Sequence, residues 1–188
     1  MRRLLAVIVL LAGTFCALAE NLADRTSTCL SCHGEDGQSN NMETPSLGAE
    51  PAAYVLIQLY LFREKQRRVE PMTQAMQGLS DDDLRRLSEV IAKLPAPKPP
   101  AEPVDAARIE RAWPLARKHH CISCHNLDFS GHDNVPRLAA QREDYLLKAL
   151  REYKANTRPG YDASMAEVVQ PLNDAELVDL AYLIAHAQ

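Results

Sequence analysis

The sequence predicts an all-α protein built from two tandem copies of one small helical domain. Three observations lead there. The pentapeptide C-x-x-C-H occurs twice, as Cys29-Leu30-Ser31-Cys32-His33 and as Cys121-Ile122-Ser123-Cys124-His125. The residues after each pentapeptide repeat as well. Pro45, Leu47 and Tyr54 recur as Pro136, Leu138 and Tyr145 at an offset of 91, and Met72, Leu79, Leu84, Leu87 and Ile91 recur as Met165, Leu172, Leu177, Leu180 and Ile184 at an offset of 93. Self-similarity in which each copy carries its own set of reactive side chains marks a duplicated domain rather than a solenoid. Between the copies, five prolines fall within the nine residues from Pro95 to Pro103 and favour an extended, semi-rigid connector.

The first element is a leader. Met1-Arg2-Arg3 is positive, Leu4 to Leu11 is apolar, and Ala17-Leu18-Ala19 offers a cleavage site before Glu20. Residues 1–19 therefore read as a secretory signal peptide, shorter than the roughly 20 residues a membrane span needs. The mature chain is expected in the periplasm. Cys16 lies in the leader behind a bulky Phe15, which does not suit lipid attachment, so the odd count of five cysteines becomes four. Removing Arg2 and Arg3 leaves 19 basic against 25 acidic residues. That balance lacks the basic face a nucleic-acid partner requires.

The first domain is expected over residues 20–94. After the pentapeptide comes a helix over 51–68, with Pro51 in its first turn and Tyr54, Ile57 and Leu61 at helical spacing. A last helix starts at Ser80 with Asp83 three residues on, a capping box, so the acidic run Asp81-Asp82-Asp83 reads as helix-start chemistry rather than as a metal site. The linker covers 95–103. The second domain, 104–188, opens with a helix from Val104 to about Lys118 that contains Pro114. It continues with a helix over 142–154, the counterpart of the one at 51, and ends with a helix capped by Asn173 and Glu176.

The chemistry of C-x-x-C-H explains each of its fixed letters. Two thiols on one side of a helical turn can form thioethers with the two vinyl groups of one porphyrin, and the adjacent histidine can present its imidazole to the iron. Cys29 and Cys32, and Cys121 and Cys124, are thus assigned to two covalently bound haem c groups, with His33 and His125 as iron ligands. Zinc would want its two cysteine pairs much closer in sequence, a thioredoxin-like pair would want a βαβ context, and disulfides would not need the histidines. The repeat nominates Met72 and Met165 as sixth ligands, because each precedes an aligned leucine by seven residues. Met76 remains the alternative one turn away. Met42 is expected to pack in a loop, and His119, His120, His132 and His186 to be structural or solvated. Two axial ligands close the iron to small molecules and favour electron transfer.

With these residues in place, the chain resembles the two-haem class I cytochromes c of the cytochrome c4 type. The likeness rests on Cys29, Cys32, His33, Gly34, Gly37, Pro45, Leu47, Tyr54, Met72 and Leu79, and on Cys121, Cys124, His125, Pro136-Arg137-Leu138, Gln141, Tyr145, Met165 and Leu172. It implies two tandem class I cytochrome c domains facing each other about a pseudo-twofold axis, with Pro45 and Pro136 beside the proximal imidazoles. It also implies an electron carrier rather than an enzyme. Its donors would be a quinol-oxidising cytochrome complex or a periplasmic dehydrogenase, its acceptor would be a terminal haem-copper oxidase, and peripheral membrane association is left open. The alternative is the dihaem subunit of a periplasmic dehydrogenase such as a flavoprotein sulfide dehydrogenase. A third reading is a catalytic or gas-sensing haem protein with one weakly ligated iron.

Two departures from the family pattern fall in loops: Glu50 stands where Gln is more usual, and Asn126-Leu127-Asp128 replaces a Gly-rich turn. Ile57, Tyr60 and Leu61 align with Lys148, Arg151 and Glu152, which predicts a more apolar patch on the first domain, either covered by the linker or the sister domain or offered to a redox partner. Arg67 and Arg158, aligned across the repeat, are the expected partners of haem propionates.

Overall fold

The computed structural model describes residues 22–158 and 163–188; the leader and Cys16 lie outside the described residues. Those residues form α1 (Leu22–His33), α2 (Ala52–Arg63), α3 (Glu70–Ala75), α4 (Asp81–Ala92), α5 (Ala106–Lys118), α6 (Cys121–His125), α7 (Glu143–Lys154), α8 (Ser164–Val169) and α9 (Asp174–Ala185). Among them the only extended pairing is a single bridge between His132 and Val135, and no helix is long and apolar enough to cross a membrane. The predicted all-α architecture is observed.

Two separate cores account for the two copies. One is drawn from α2, α4 and the segment between them, with Val55, Leu59, Phe62, Met76, Leu79, Leu84, Leu87 and Ile91 buried. The other gathers Leu146, Val169, Leu172, Leu177, Leu180 and Ile184 beneath α5 and Phe129. Helix α2 packs on α4 as α7 packs on α9, which places the repeated leucines face to face in each half.

Local chemistry sets the helix ends. Ser80 accepts the Asp83 N–H while Asp83 accepts the Ser80 N–H, and Asn173 and Glu176 do the same at α9. Both predicted capping boxes therefore satisfy amides that a first helical turn leaves free. The helix expected over 51–68 instead ends at Arg63. Lys65 takes a left-handed conformation, and the N–H groups of Gln66 and Arg67 fold back onto the Leu61 carbonyl. The second domain repeats this stop at Asn156, with Thr157 and Arg158 on the Glu152 carbonyl. The reversal sends Arg67 and Arg158 inward from equivalent positions.

The linker is tied to the first domain. Gln38 donates from Nε2 to the Lys98 carbonyl at 2.9 Å and accepts the Lys98 N–H at 3.2 Å. The two domains meet in a reciprocal contact. The Ser46 N–H donates to Gln141 Oε1 at 2.7 Å, and the Arg137 N–H donates to Glu50 Oε2 at 3.0 Å. Residues 46 and 137 are equivalent in the repeat, as are 50 and 141, so each domain offers the other the same two groups. That exchange is the signature of a twofold relation between like surfaces. Lys148 with Glu43 at 2.7 Å, and Arg142 Nη1 on the Ser39 carbonyl at 3.2 Å, extend the contact.

Candidate haem sites

Each C-x-x-C-H segment lies at the end of a helical run. In the first domain it forms the last turns of α1; in the second it is the short helix α6, set off from α5 by left-handed His120. None of the four described cysteines is in a disulfide, with Cys32 and Cys124 exposed and Cys29 and Cys121 half-buried. Burial pushes the Cys121 thiol up. Among the described residues no group of three or more His, Cys, Asp or Glu assembles into a metal cluster, so the two pairs do not converge on a shared zinc.

Both histidines turn inward, with His33 5% and His125 4% exposed. His33 Nδ1 donates to the Pro45 carbonyl at 2.8 Å and His125 Nδ1 to the Pro136 carbonyl at 3.0 Å. A carbonyl only accepts, so Nδ1 carries the proton and Nε2 holds the lone pair a metal requires. Burial lowers both pKa values, against the opposing pull of these hydrogen bonds, and holds the rings neutral. The prolines expected beside the imidazoles therefore fix the ligating tautomer.

Met72 and Met165 sit in the short helices α3 and α8, each half-buried against its own core. Met76 is only 2% exposed and belongs to the core itself. Met42 is 76% exposed, which corrects the expectation that it packs in a loop: its side chain stands in solvent. Among the histidines outside the motifs, His132 is half-exposed beside Asp133, and the His186 ring lies tilted against Tyr182 with centroids 4.0 Å apart.

The interface holds an excess of buried positive charge. Arg67 is 8% exposed, and its polar partners are neutral: Gln58 Oε1 at 2.7 Å and the Tyr145 hydroxyl at 3.4 Å. Arg158 donates to the same hydroxyl at 2.8 Å and pairs with Glu152 at 3.1 Å. Burial pushes the Tyr145 phenol up, but these two guanidiniums more than offset it and hold its pKa below the ordinary value. Burial, with the neighbouring Tyr145 and Glu50 charges, raises Tyr54 strongly, and Arg158 and Arg67 only partly oppose it. Arg137 Nε is buried without a partner. A buried cation needs an anion, and the carboxylates of two haem groups fit these three arginines, two of which the repeat alignment had singled out.

The turn after the second motif keeps its shape without glycine. Gly34 and Gly37 have positive φ in the first domain, and Asn126 and Phe129 take the same conformation in the second. The N–H groups of Leu47 and Gly48 close on the Gly37 carbonyl, as those of Leu138 and Ala139 close on Phe129. A left-handed Phe costs roughly 1 to 2 kcal/mol, offset here by full burial of its ring against Trp113, with centroids 5.9 Å apart. Sequence reasoning missed Phe129, and it missed the interface contact, although the shared offset of 91 between 46 and 137 and between 50 and 141 would have revealed the latter.

The apolar patch predicted on α2 is partly present. Tyr60 is 44% exposed and, with Leu56, Ile57 and Leu84, lines a hollow of about 440 Å³. Leu61, expected to be exposed, is 7% exposed: α2 turns it inward, and its carbonyl anchors the turn after the helix.

The cytochrome c family matches residues 109–188. A cytochrome c4 from Thiocapsa roseopersicina is 30% identical over 143 residues, which cover 72% of this chain and 74% of that protein. The chain belongs to the cytochrome c4 family. The reduced cytochrome c4 of Pseudomonas stutzeri shares the fold with a TM-score of 0.78 at 23% identity, covering 90% of this chain and 100% of that one. A thiosulfate dehydrogenase from Marichromatium purpuratum aligns with a TM-score of 0.70 at 26% identity, over 85% of this chain and 36% of the larger one. As a cytochrome c4, the chain is a dihaem electron-transfer protein with covalently bound haem c and not an enzyme, and its two halves are class I cytochrome c domains.

Proposed function

We propose that this cytochrome c4 is a periplasmic carrier that moves electrons between redox partners of a respiratory chain. Residues 20–94 form one domain, 95–103 the connector and 104–188 the other, after removal of residues 1–19. Each haem, when bound, supplies an iron that alternates between ferrous and ferric states. Cys29 and Cys32 hold one group and Cys121 and Cys124 the other. His33 and His125 would hold the irons through Nε2, Met72 and Met165 would supply thioether sulfurs as further ligands, and Arg67, Arg137 and Arg158 would neutralise the haem carboxylates. The observation that carries this reading is the pair of buried imidazoles with Nδ1 committed to a proline carbonyl. The proposed donors are a quinol-oxidising cytochrome complex or a periplasmic dehydrogenase, and the proposed acceptor is a terminal haem-copper oxidase.

A visible spectrum with redox titration of the purified protein tests it. Two haems per chain, a red-end ferric band from methionine ligation and two high potentials are expected. Absence of covalent haem, or strong carbon monoxide binding by the ferrous protein, overturns it. The likeness to part of a thiosulfate dehydrogenase supports a second reading, that of a dihaem subunit working with a periplasmic dehydrogenase. Co-purification with a catalytic subunit distinguishes the two.

A further inference from the structure

The reciprocal interface bonds end on different chemistry. One peptide group joins Pro45 to Ser46: its carbonyl receives the His33 Nδ1 proton and its N–H donates to Gln141 Oε1. The peptide joining Pro136 to Arg137 receives the His125 proton and donates to Glu50 Oε2. Each imidazole is thus one peptide away from a buried side chain of the opposite domain. Gln141 is a neutral amide whose Nε2 also donates back to the Ser46 carbonyl at 2.9 Å. Glu50 fills the equivalent place, 6% exposed, with a group that can donate only when it carries a proton.

Hydrogen bonds in series polarise one another. A full negative charge on the far side of the Pro136–Arg137 peptide makes the Pro136 carbonyl a stronger acceptor. The His125 ring then becomes more basic at Nε2, as a partner of a metal-bound histidine does. We propose that Glu50 of the first domain is a positioning residue for the second redox site, strengthening His125 as a donor when ionised and mimicking Gln141 when protonated. The second site is thereby set apart from the first, with a potential that falls as Glu50 loses its proton.

The groups facing Glu50 are the Arg137 guanidinium across the interface and the Tyr54 phenol on α2, with Tyr145, Arg67 and Arg158 behind Tyr54. Ser46 and Gln141 are uncharged. Burial pushes the Glu50 carboxyl up to about 8, and the Arg137 N–H and charge only partly oppose it. The change of state therefore falls near physiological pH.

The inference rests on the proposed ligation by His33 and His125. Both potentials of the holoprotein are measured on either side of pH 8 in the wild type, Glu50→Gln and Gln141→Glu. In the wild type one potential should fall with rising pH and the other stay level. The fall is bounded by a tenfold change in the electron-binding constant per pH unit, the limit for one proton per electron. Glu50→Gln should hold that potential at its low-pH value, and Gln141→Glu should give the other site a pH dependence of its own. Two level potentials in the wild type, a slope that survives Glu50→Gln, or equal movement of both sites overturns the inference. The spectrum of the untouched protein is read in the same samples, so loss of the methionine band or of one haem identifies failure of the ligation instead.

Discussion

Val169 stands in the second domain where Met76 stands in the first. Both are buried, at 1% and 2% exposure, and each carbonyl accepts the N–H of the leucine three residues on, Leu172 and Leu79. An aliphatic side chain serves at this position in one copy, which supports the proposal of Met72 rather than Met76 as the iron ligand. Met72→Ala is expected to abolish half of the methionine-to-iron band in the visible spectrum. Met76→Ala should keep the band and lower the stability of the first domain by about 2–5 kcal/mol, the usual range for a buried Met→Ala change. Met76→Val, which copies the second domain, should cost less. Loss of the band in Met76→Ala with retention in Met72→Ala would reverse the assignment.

Tyr145 gives one phenolic oxygen to two guanidiniums, at 2.8 Å from Arg158 and 3.4 Å from Arg67. Tyr145→Phe keeps the ring and removes the acceptor. A loss of about 1–3 kcal/mol is expected, the cost of leaving a buried donor unmet, read as a shift of the denaturant midpoint. An unmoved midpoint would mean that other groups already satisfy both arginines.

The connector is held at Lys98 by two hydrogen bonds from one side chain. Gln38→Ala should release it. Limited proteolysis is then expected to cut between residues 95 and 103 faster than in the wild type, with both domains surviving as fragments. Equal cutting rates would show that the prolines alone protect the segment.

Arg111 holds Asp179 with bonds of 2.8 and 3.0 Å, Arg108 adds a contact at 3.5 Å, and together they keep its carboxyl below the usual range. The folded state therefore binds fewer protons here than the unfolded chain does. The stabilisation is complete above the ordinary carboxylate pKa of about 3.9 and disappears as pH falls through the lower folded value. Asp179→Asn should be less stable than the wild type at neutral pH and lose less on acidification. Parallel acid-denaturation curves for the two proteins would argue against this.

Local chemistry made much of this legible in advance. The thiol and imidazole spacing, the caps at Ser80 and Asn173 and the aligned leucines each depend on residues within a turn or two of one another. Legibility failed where backbone conformation decides. Nothing in Lys65 announces a left-handed residue, so α2 was expected to run five residues past Arg63, and the same turn draws Leu61 inward. Phe129 escaped because an aromatic residue is a poor turn former until Trp113 is there to cover it. The interface escaped because half of each reciprocal bond, at Ser46 and at Arg137, is a main-chain N–H, which leaves no mark on the sequence. The Glu50 departure was visible, but its meaning depended on seeing which peptide it grips.

The exchange between the 46/141 and 137/50 positions makes one surface complementary to itself. A lone copy with an amide side chain four residues after the residue that follows its proline would possess both donor and acceptor, and two such copies would pair with closed symmetry. Joining them end to end then demands no new contact. The proline connector contributes only a high effective concentration of one half for the other, and the covalent join frees the two copies to diverge at one acceptor, glutamine on one side and glutamate on the other, while the pairing stays intact.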